Sequence, residues 1–172
     1  MWVAVVGPSG AGKDTLLDGA RRALAGDARF HFARRVVSRP AEAGGEAHEF
    51  LPAEAFDAAD LVLRWEAHGL RYGIRRAEVE RAPVTILNLS RRVLGEAAAL
   101  HPLRVAEVTA PREVLRVRLL ARGREGAAEV EGRLDRRAPL PAGLDVVKVP
   151  NDGTPAEGVA RLCAVLEDAA AG

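Results

Sequence analysis

Residues 2–15, WVAVVGPSGAGKDT, decide the fold. Five apolar residues, Trp2–Val6, run straight into a turn holding Gly7, Gly10 and Gly12, and the turn ends on Lys13. A short, wholly apolar run reads as a strand buried on both faces. The residues after it, Leu16, Leu17, Ala20 and Leu24, recur at helical spacing. Strand, glycine turn and helix in this order form a phosphate cradle: glycines let backbone N–H groups converge on one anion, the helix N-terminus adds its positive end, and the lysine adds a point charge. Gly7, Pro8, Ser9, Gly10, Ala11, Gly12, Lys13, Asp14 and Thr15 are therefore the expected nucleotide-phosphate contacts, with Lys13 at the transferred group. One residue departs from the usual pattern. Ser or Thr normally follows the lysine and holds magnesium, whereas here Asp14 does. A carboxylate is a hard oxygen ligand, so Asp14 is the candidate for Mg2+. The other reading of Asp14 is an acid that only favours the helix dipole.

The rest of the chain repeats strand and helix patterns. The reading is α/β: a parallel sheet with flanking helices on a P-loop scaffold. The stretch HFARRVVSRP, residues 31–40, reads as one strand, and PAEAFDAA as a short helix opened by Pro52. LVLRWEAHGLRYGI, residues 61–74, reads as two strands joined near His68 and Gly69, followed by a helix over 75–81. Strands are expected at VTILNL, LRVAEVTA and DVVKVP. Helices are expected at 91–100, from Pro111 to about Arg122, over about 126–137, and after Thr154–Pro155. Residues 31–82 break the alternation and read as an insertion that forms an acceptor-binding subdomain within a single domain of 172 residues. Trp65, in a strand pattern, reads as core.

Composition narrows the function classes. The net charge is +1 with 28% charged residues, which argues against a general nucleic-acid binder. No apolar run approaches a membrane span. The start MWVAVVG is too short for a secretory leader and runs directly into the loop motif. The single cysteine, Cys163, excludes an internal disulfide, suits a reducing cytoplasm, and reads as a buried packing residue. His31, His68 and His101 show no metal-ligand spacing. Lysine is scarce (only Lys13 and Lys148), which makes a lysine inside the loop less of a coincidence.

The loop, VVSRPAEAGGEAHEF (36–50), RWEAHGLRYGI (64–74), LNLSRRVL (87–94), RLLARGREG (118–126) and PNDGT (150–154) occur in this order. Together they resemble the ribose 1,5-bisphosphate phosphokinases of phosphonate metabolism, relatives of the guanylate kinases. The resemblance implies a guanylate-kinase-like fold with an acceptor-binding insertion and an Arg-rich lid over about 118–137. It also implies ATP and Mg2+ as cosubstrate and cofactor, and a sugar phosphate as acceptor. The activity implied is transfer of the ATP γ-phosphoryl group to the 1-phosphate of ribose 1,5-bisphosphate, giving 5-phosphoribosyl 1-diphosphate (PRPP) and ADP. The resemblance makes Asp14 a variant of the loop, not a defect. It assigns Arg118, Arg122, Arg124 and Arg133, with Arg136 and Arg137 nearby, to ATP and the lid. It places Asn151 and Asp152 at the adenine edge.

On the acceptor side Arg39 matches a phosphate-binding arginine of guanylate kinases. Arg35, Tyr72, Ser90 and Arg91 are further candidates, with Glu46 and His48 on the loop as hydrogen-bonding candidates. Arginine suits these roles because its planar fork grips phosphate oxygens in pairs. No general base is expected, since the acceptor is already an ionised phosphate oxygen. The expected setting is cytoplasmic, without nucleic acid or membrane, and a homodimer is left open. Two other readings remain. One is a guanylate or other nucleoside monophosphate kinase, disfavoured by Ile74 after the Tyr-Gly pair and by the missing second loop arginine. The other is a non-catalytic module on the same scaffold, disfavoured by the retained Lys13 and lid arginines.

Overall fold

The computed structural model describes residues 1–40, 48–121 and 139–172. Five strands form a parallel sheet in the order β2-β7-β1-β8-β9, where β1 is Trp2–Val6, β2 Phe30–Phe32, β7 Val84–Asn88, β8 Leu103–Thr109 and β9 Asp145–Pro150. All five residues of β1 are buried, as its unbroken apolar run requires at the centre of a sheet covered on both faces. Val3 and Val5 face one core cluster; Trp2, Ala4 and Val6 face another. The first cluster lies under α1 (Lys13–Ala23) and α4 (Pro155–Ala171), which bury Leu16, Leu17 and Ala20, and Leu162, Val165, Leu166 and Ala169. Leu16 is fully buried here, and Leu16→Ala would cost about 2–5 kcal/mol. The two helices touch closely because Gly19 has no side chain: a Cβ there would lie 2.3 Å from Val159.

α4 begins where the sequence predicts. Thr154 Oγ1 accepts from the Glu157 N–H, the Glu157 carboxylate accepts from the Thr154 N–H, and a proline fills the first turn. α2 spans Leu94–Leu100 and α3 spans Arg112–Ala121.

The insertion builds a second sheet in the order β4-β3-β6-β5, with β3 Arg35–Val37, β4 Glu49–Phe50, β5 Leu61–Ala67 and β6 Leu70–Arg75. β5 and β6 are the expected hairpin, turning at His68 and Gly69, both with positive φ. HFARRVVSRP is not one strand. Its first half joins the parallel sheet as β2 and its second half crosses to the other sheet as β3. Ala33, between the halves, is buried and donates its N–H to the Ile86 carbonyl. The helix expected over 75–81 is a single 3-10 turn, Arg76–Glu78, and that expected after Pro52 is likewise one turn, Ala53–Ala55. The helix expected over 91–100 is a 3-10 turn, Arg91–Val93, leading into α2. Trp65 is buried, as expected. Cys163 packs against the first core cluster but is only half-buried, and burial raises its thiol pKa. The expected helix over 126–137 lies outside the described residues.

Candidate active site

The main sheet places its ends at one point. β1 is flanked by β7 on one side and β8 on the other, so strand order reverses there, and ligands of open α/β sheets sit in the crevice at such a reversal. The glycine loop leaves β1 at this crevice and ends on α1, whose first residue is Lys13. Gly12 has φ +86°, a left-handed conformation that glycine adopts at no steric cost, and a Cβ there would lie 2.5 Å from Asn151 Nδ2. Gly7 is held by contact: a Cβ would lie 2.5 Å from the Val108 carbonyl oxygen. Lys13 Nζ donates to the Gly7 carbonyl at 2.9 Å and to the Pro8 carbonyl at 3.4 Å, so it arches over the loop.

A polar cavity of about 150 Å³ opens above this turn, lined by Ser9, Gly10, Gly12, Lys13, Asp14, Arg35 and Asn88. Two cations, one carboxylate and the start of a helix thus face one small volume. Asp14 lies in the first turn of α1, and Asn88, at the end of β7, donates from Nδ2 to its Oδ1 over 3.4 Å. A larger hollow, about 420 Å³, lies at the other end of α1 between Leu24 and Phe32 and is lined by none of the loop residues.

The loop is braced from beneath. Asn151, buried just beyond β9, donates from Nδ2 to the Ala11 carbonyl at 2.7 Å. Arg118, on α3, donates to the same carbonyl at 3.4 Å and to the Asn151 carbonyl at 3.1 Å. Both side chains that the sequence assigns to ATP therefore grip the backbone of the loop. Asp152 is exposed and pairs with Arg161 at 3.2 Å, and Thr15 is exposed on α1.

The acceptor-side candidates spread over two regions. Arg35 reaches the cavity, and its guanidinium lies 5.4 Å from the centroid of the Tyr72 ring. Arg39 and His48 sit together at the edge of the insertion, where His48 Nε2 lies 2.8 Å from the Arg39 carbonyl oxygen. Ser90 caps the turn after β7 by accepting from the Arg92 N–H. Arg91 reaches back to Glu107 of β8 at 2.8 Å, both side chains largely buried. Ile74 is fully buried in the second core cluster. Glu46, Arg122, Arg124 and Arg133 lie outside the described residues.

Two participants were not singled out from sequence. Asn88 and Glu107 each sit near the end of a largely apolar strand, VTILNL and LRVAEVTA, and a polar residue placed there was the available signal. Trp65, read from sequence as core, also stacks on Tyr72.

Known proteins match along nearly the whole chain. The bifunctional ribose 1,5-bisphosphokinase-thymidine phosphorylase of Azorhizobium caulinodans is 47% identical over 171 residues, 94% of this chain and 25% of that protein. The ribose 1,5-bisphosphate phosphokinase PhnN of Brucella melitensis is 46% identical over 161 residues, covering 88% and 84% of the two chains. That of Agrobacterium fabrum is 40% identical over 177 residues, covering 98% and 97%. The chain belongs to the ribose 1,5-bisphosphate phosphokinase family. It spans a quarter of the bifunctional relative and nearly all of the Agrobacterium family member. None of the family models compared matches it. Among solved structures, a guanylate kinase from Anaplasma phagocytophilum aligns with a TM-score of 0.63 at 19% identity, over 98% of this chain and 84% of that one. A sugar kinase from Janibacter sp. aligns with a TM-score of 0.54 at 18% identity, over 99% of this chain and 96% of that one. These likenesses show the fold expected from the sequence, an α/β P-loop scaffold with a parallel sheet and flanking helices. Among the described residues no helix is long and apolar enough to cross a membrane.

Proposed function

We propose that the chain is an ATP-dependent kinase that phosphorylates the 1-phosphate of ribose 1,5-bisphosphate, forming PRPP and ADP. The observation that carries this reading is the convergence of the glycine loop, Lys13, Asp14 and Arg35 on one cavity at the strand-order reversal. The names of the relatives supply the substrate class. An oxygen of the acceptor's 1-phosphate attacks the γ-phosphorus of ATP, the bond from that phosphorus to the β,γ-bridging oxygen breaks, and ADP leaves with the electron pair. Such a transfer needs positioning and charge neutralisation more than covalent chemistry. Lys13 holds the β- and γ-phosphates, the loop N–H groups hold their oxygens, and Arg35 draws the acceptor phosphate toward them. No side chain need remove a proton.

The donor set suits Mg2+, which takes one or two carboxylates together with substrate phosphates and keeps several waters. Asp14 would hold it, directly or through water, with Asn88 orienting the carboxylate. When bound, the ion neutralises charge on the transferring phosphoryl group. Asn151 and Arg118 keep the loop in shape, and Asn151 and Asp152 border the region where adenine would lie. Arg39, His48, Tyr72, Ser90 and Arg91 belong to the acceptor side in this reading. Arg122, Arg124 and Arg133 belong to a lid that excludes water on closure. The proposed setting is cytoplasmic phosphonate catabolism.

The competing acceptor is a nucleoside monophosphate. The buried Ile74 speaks against it, because a side chain sealed in the core cannot read a base edge. The test is a turnover assay with ATP, magnesium and ribose 1,5-bisphosphate. The reading expects PRPP and ADP in equal amounts; ADP without PRPP would overturn it.

A further inference from the structure

Trp65, Tyr72 and Arg35 form a three-layer stack. Trp65 and Tyr72 are direct partners across the β5–β6 hairpin, and their rings lie 5.5 Å apart and 9° from parallel. Arg35 of β3 is paired with Ile74, so Tyr72 is its diagonal neighbour on the same face of the sheet. Because β6 lies between β3 and β5, Arg35 approaches the phenol ring from the side opposite Trp65, its guanidinium 5.4 Å from the ring centroid. The base of the stack is fixed: Trp65 is 8% exposed and belongs to a core cluster with Leu63, Ile74, Leu89 and Val93. Its top opens on the phosphate-loop cavity, beside Lys13 and Asp14.

An aromatic face holds the flat side of a guanidinium, whereas phosphate oxygens are gripped in the guanidinium plane. Both contacts can therefore hold at once. A stacked arginine also has less rotamer freedom left to lose when an anion arrives, which strengthens binding. We propose that Tyr72 is a positioning residue that acts through Arg35: its ring, backed by Trp65, presents the Arg35 guanidinium to the phosphates in the loop cavity, and the phenol hydroxyl is not the grip. This rests on the kinase reading above and names the acceptor-side contact within it.

The test is a mutant cycle of Tyr72→Leu, Arg35→Gln and the double variant, with Tyr72→Phe as the conservative replacement. With ribose 1,5-bisphosphate, Tyr72→Leu should raise the acceptor KM about three- to tenfold, the range of a partly desolvated cation–π contact, with much less effect on the KM for ATP. Tyr72→Phe, which keeps the ring, should restore most of that loss. In the Arg35→Gln background, Tyr72→Leu should add little. Equal losses in the Phe and Leu variants would mean the hydroxyl is the contact, and multiplicative losses would mean Tyr72 and Arg35 act independently; either overturns the proposal. Should Tyr72→Leu not fold, Tyr72→Met fills the volume without an aromatic face. The same proteins are titrated by calorimetry with inorganic pyrophosphate and magnesium, a readout that needs no particular acceptor. Absence of PRPP with the wild-type protein would sink the kinase reading, while the pyrophosphate series would still decide the role of the stack.

Discussion

Asn151→Ala separates two roles for one side chain, adenine contact and loop support. In the structure its Nδ2 is 2.7 Å from the Ala11 carbonyl oxygen, and the residue is 5% exposed. The carboxamide is also enclosed: a Cβ at Gly12 would lie 2.5 Å from its nitrogen, and one at Gly158 would lie 2.6 Å from its oxygen. Truncation removes a buried hydrogen bond, a loss of about 1 kcal/mol while Arg118 still reaches the same carbonyl. The cavity left by the amide adds roughly 1 kcal/mol. A total of about 2 kcal/mol lowers Tm by roughly 4–8 °C in a chain of this size. Thermal melts without nucleotide measure this directly, and the KM for ATP should rise in parallel as the loop loses its brace. Gly12→Ala supplies an internal check. Its clash with the amide disappears in the Asn151→Ala background while the left-handed strain at φ +86° persists, so the double variant should be destabilised by less than the sum. A normal melt with a raised KM for ATP would refute the loop-support argument and leave Asn151 at the adenine edge.

Three further outcomes are expected. Lys13→Ala should lower turnover by orders of magnitude in a protein that still folds; near-normal turnover in a folded variant would rule out the phosphate-loop reading. Asp14→Asn should raise the magnesium concentration needed for half-maximal rate more than it weakens metal-free ATP binding, and an unchanged magnesium dependence would leave Asp14 only its effect on the helix dipole. In the second sheet, hydrogen bonds from Arg75 hold the Glu49 carboxyl below its ordinary pKa. Its contribution, about 1 kcal/mol for a pair of this exposure, is present above the ordinary glutamate pKa and is lost as pH falls through the lowered value. Glu49→Gln should therefore melt lower at neutral pH and lose less on acidification; parallel acid profiles would contradict this.

The central strand, the loop, the first helix and the C-terminal cap were legible because each is dictated by neighbours in sequence: an apolar run, glycine spacing, a capping box. HFARRVVSRP was not, because alternation shows that a segment is extended but not which sheet it joins. The turn at Arg76–Glu78 is too short to carry a period. In the site, Lys13, Asp14 and Arg35 were named from sequence and meet in one cavity. Asn151 was placed at the adenine edge by the resemblance, but its partner Ala11 lies 140 residues away and its role in bracing the loop was not legible. The stack on Tyr72 depends on hairpin register, which pairs Trp65 with Tyr72 and sets Arg35 diagonally; a shift of one residue would turn those side chains to the opposite face.

The central claim is that the phosphoryl group held over the glycine loop goes to a sugar phosphate and not to a nucleotide. The most direct measurement gives the purified chain ATP and magnesium with either ribose 1,5-bisphosphate or GMP, side by side, and quantifies PRPP and GDP. The account predicts PRPP formation, with GMP turnover lower by at least roughly a hundredfold, the discrimination available to a site without groups that read a base. Efficient GDP formation without PRPP would contradict it.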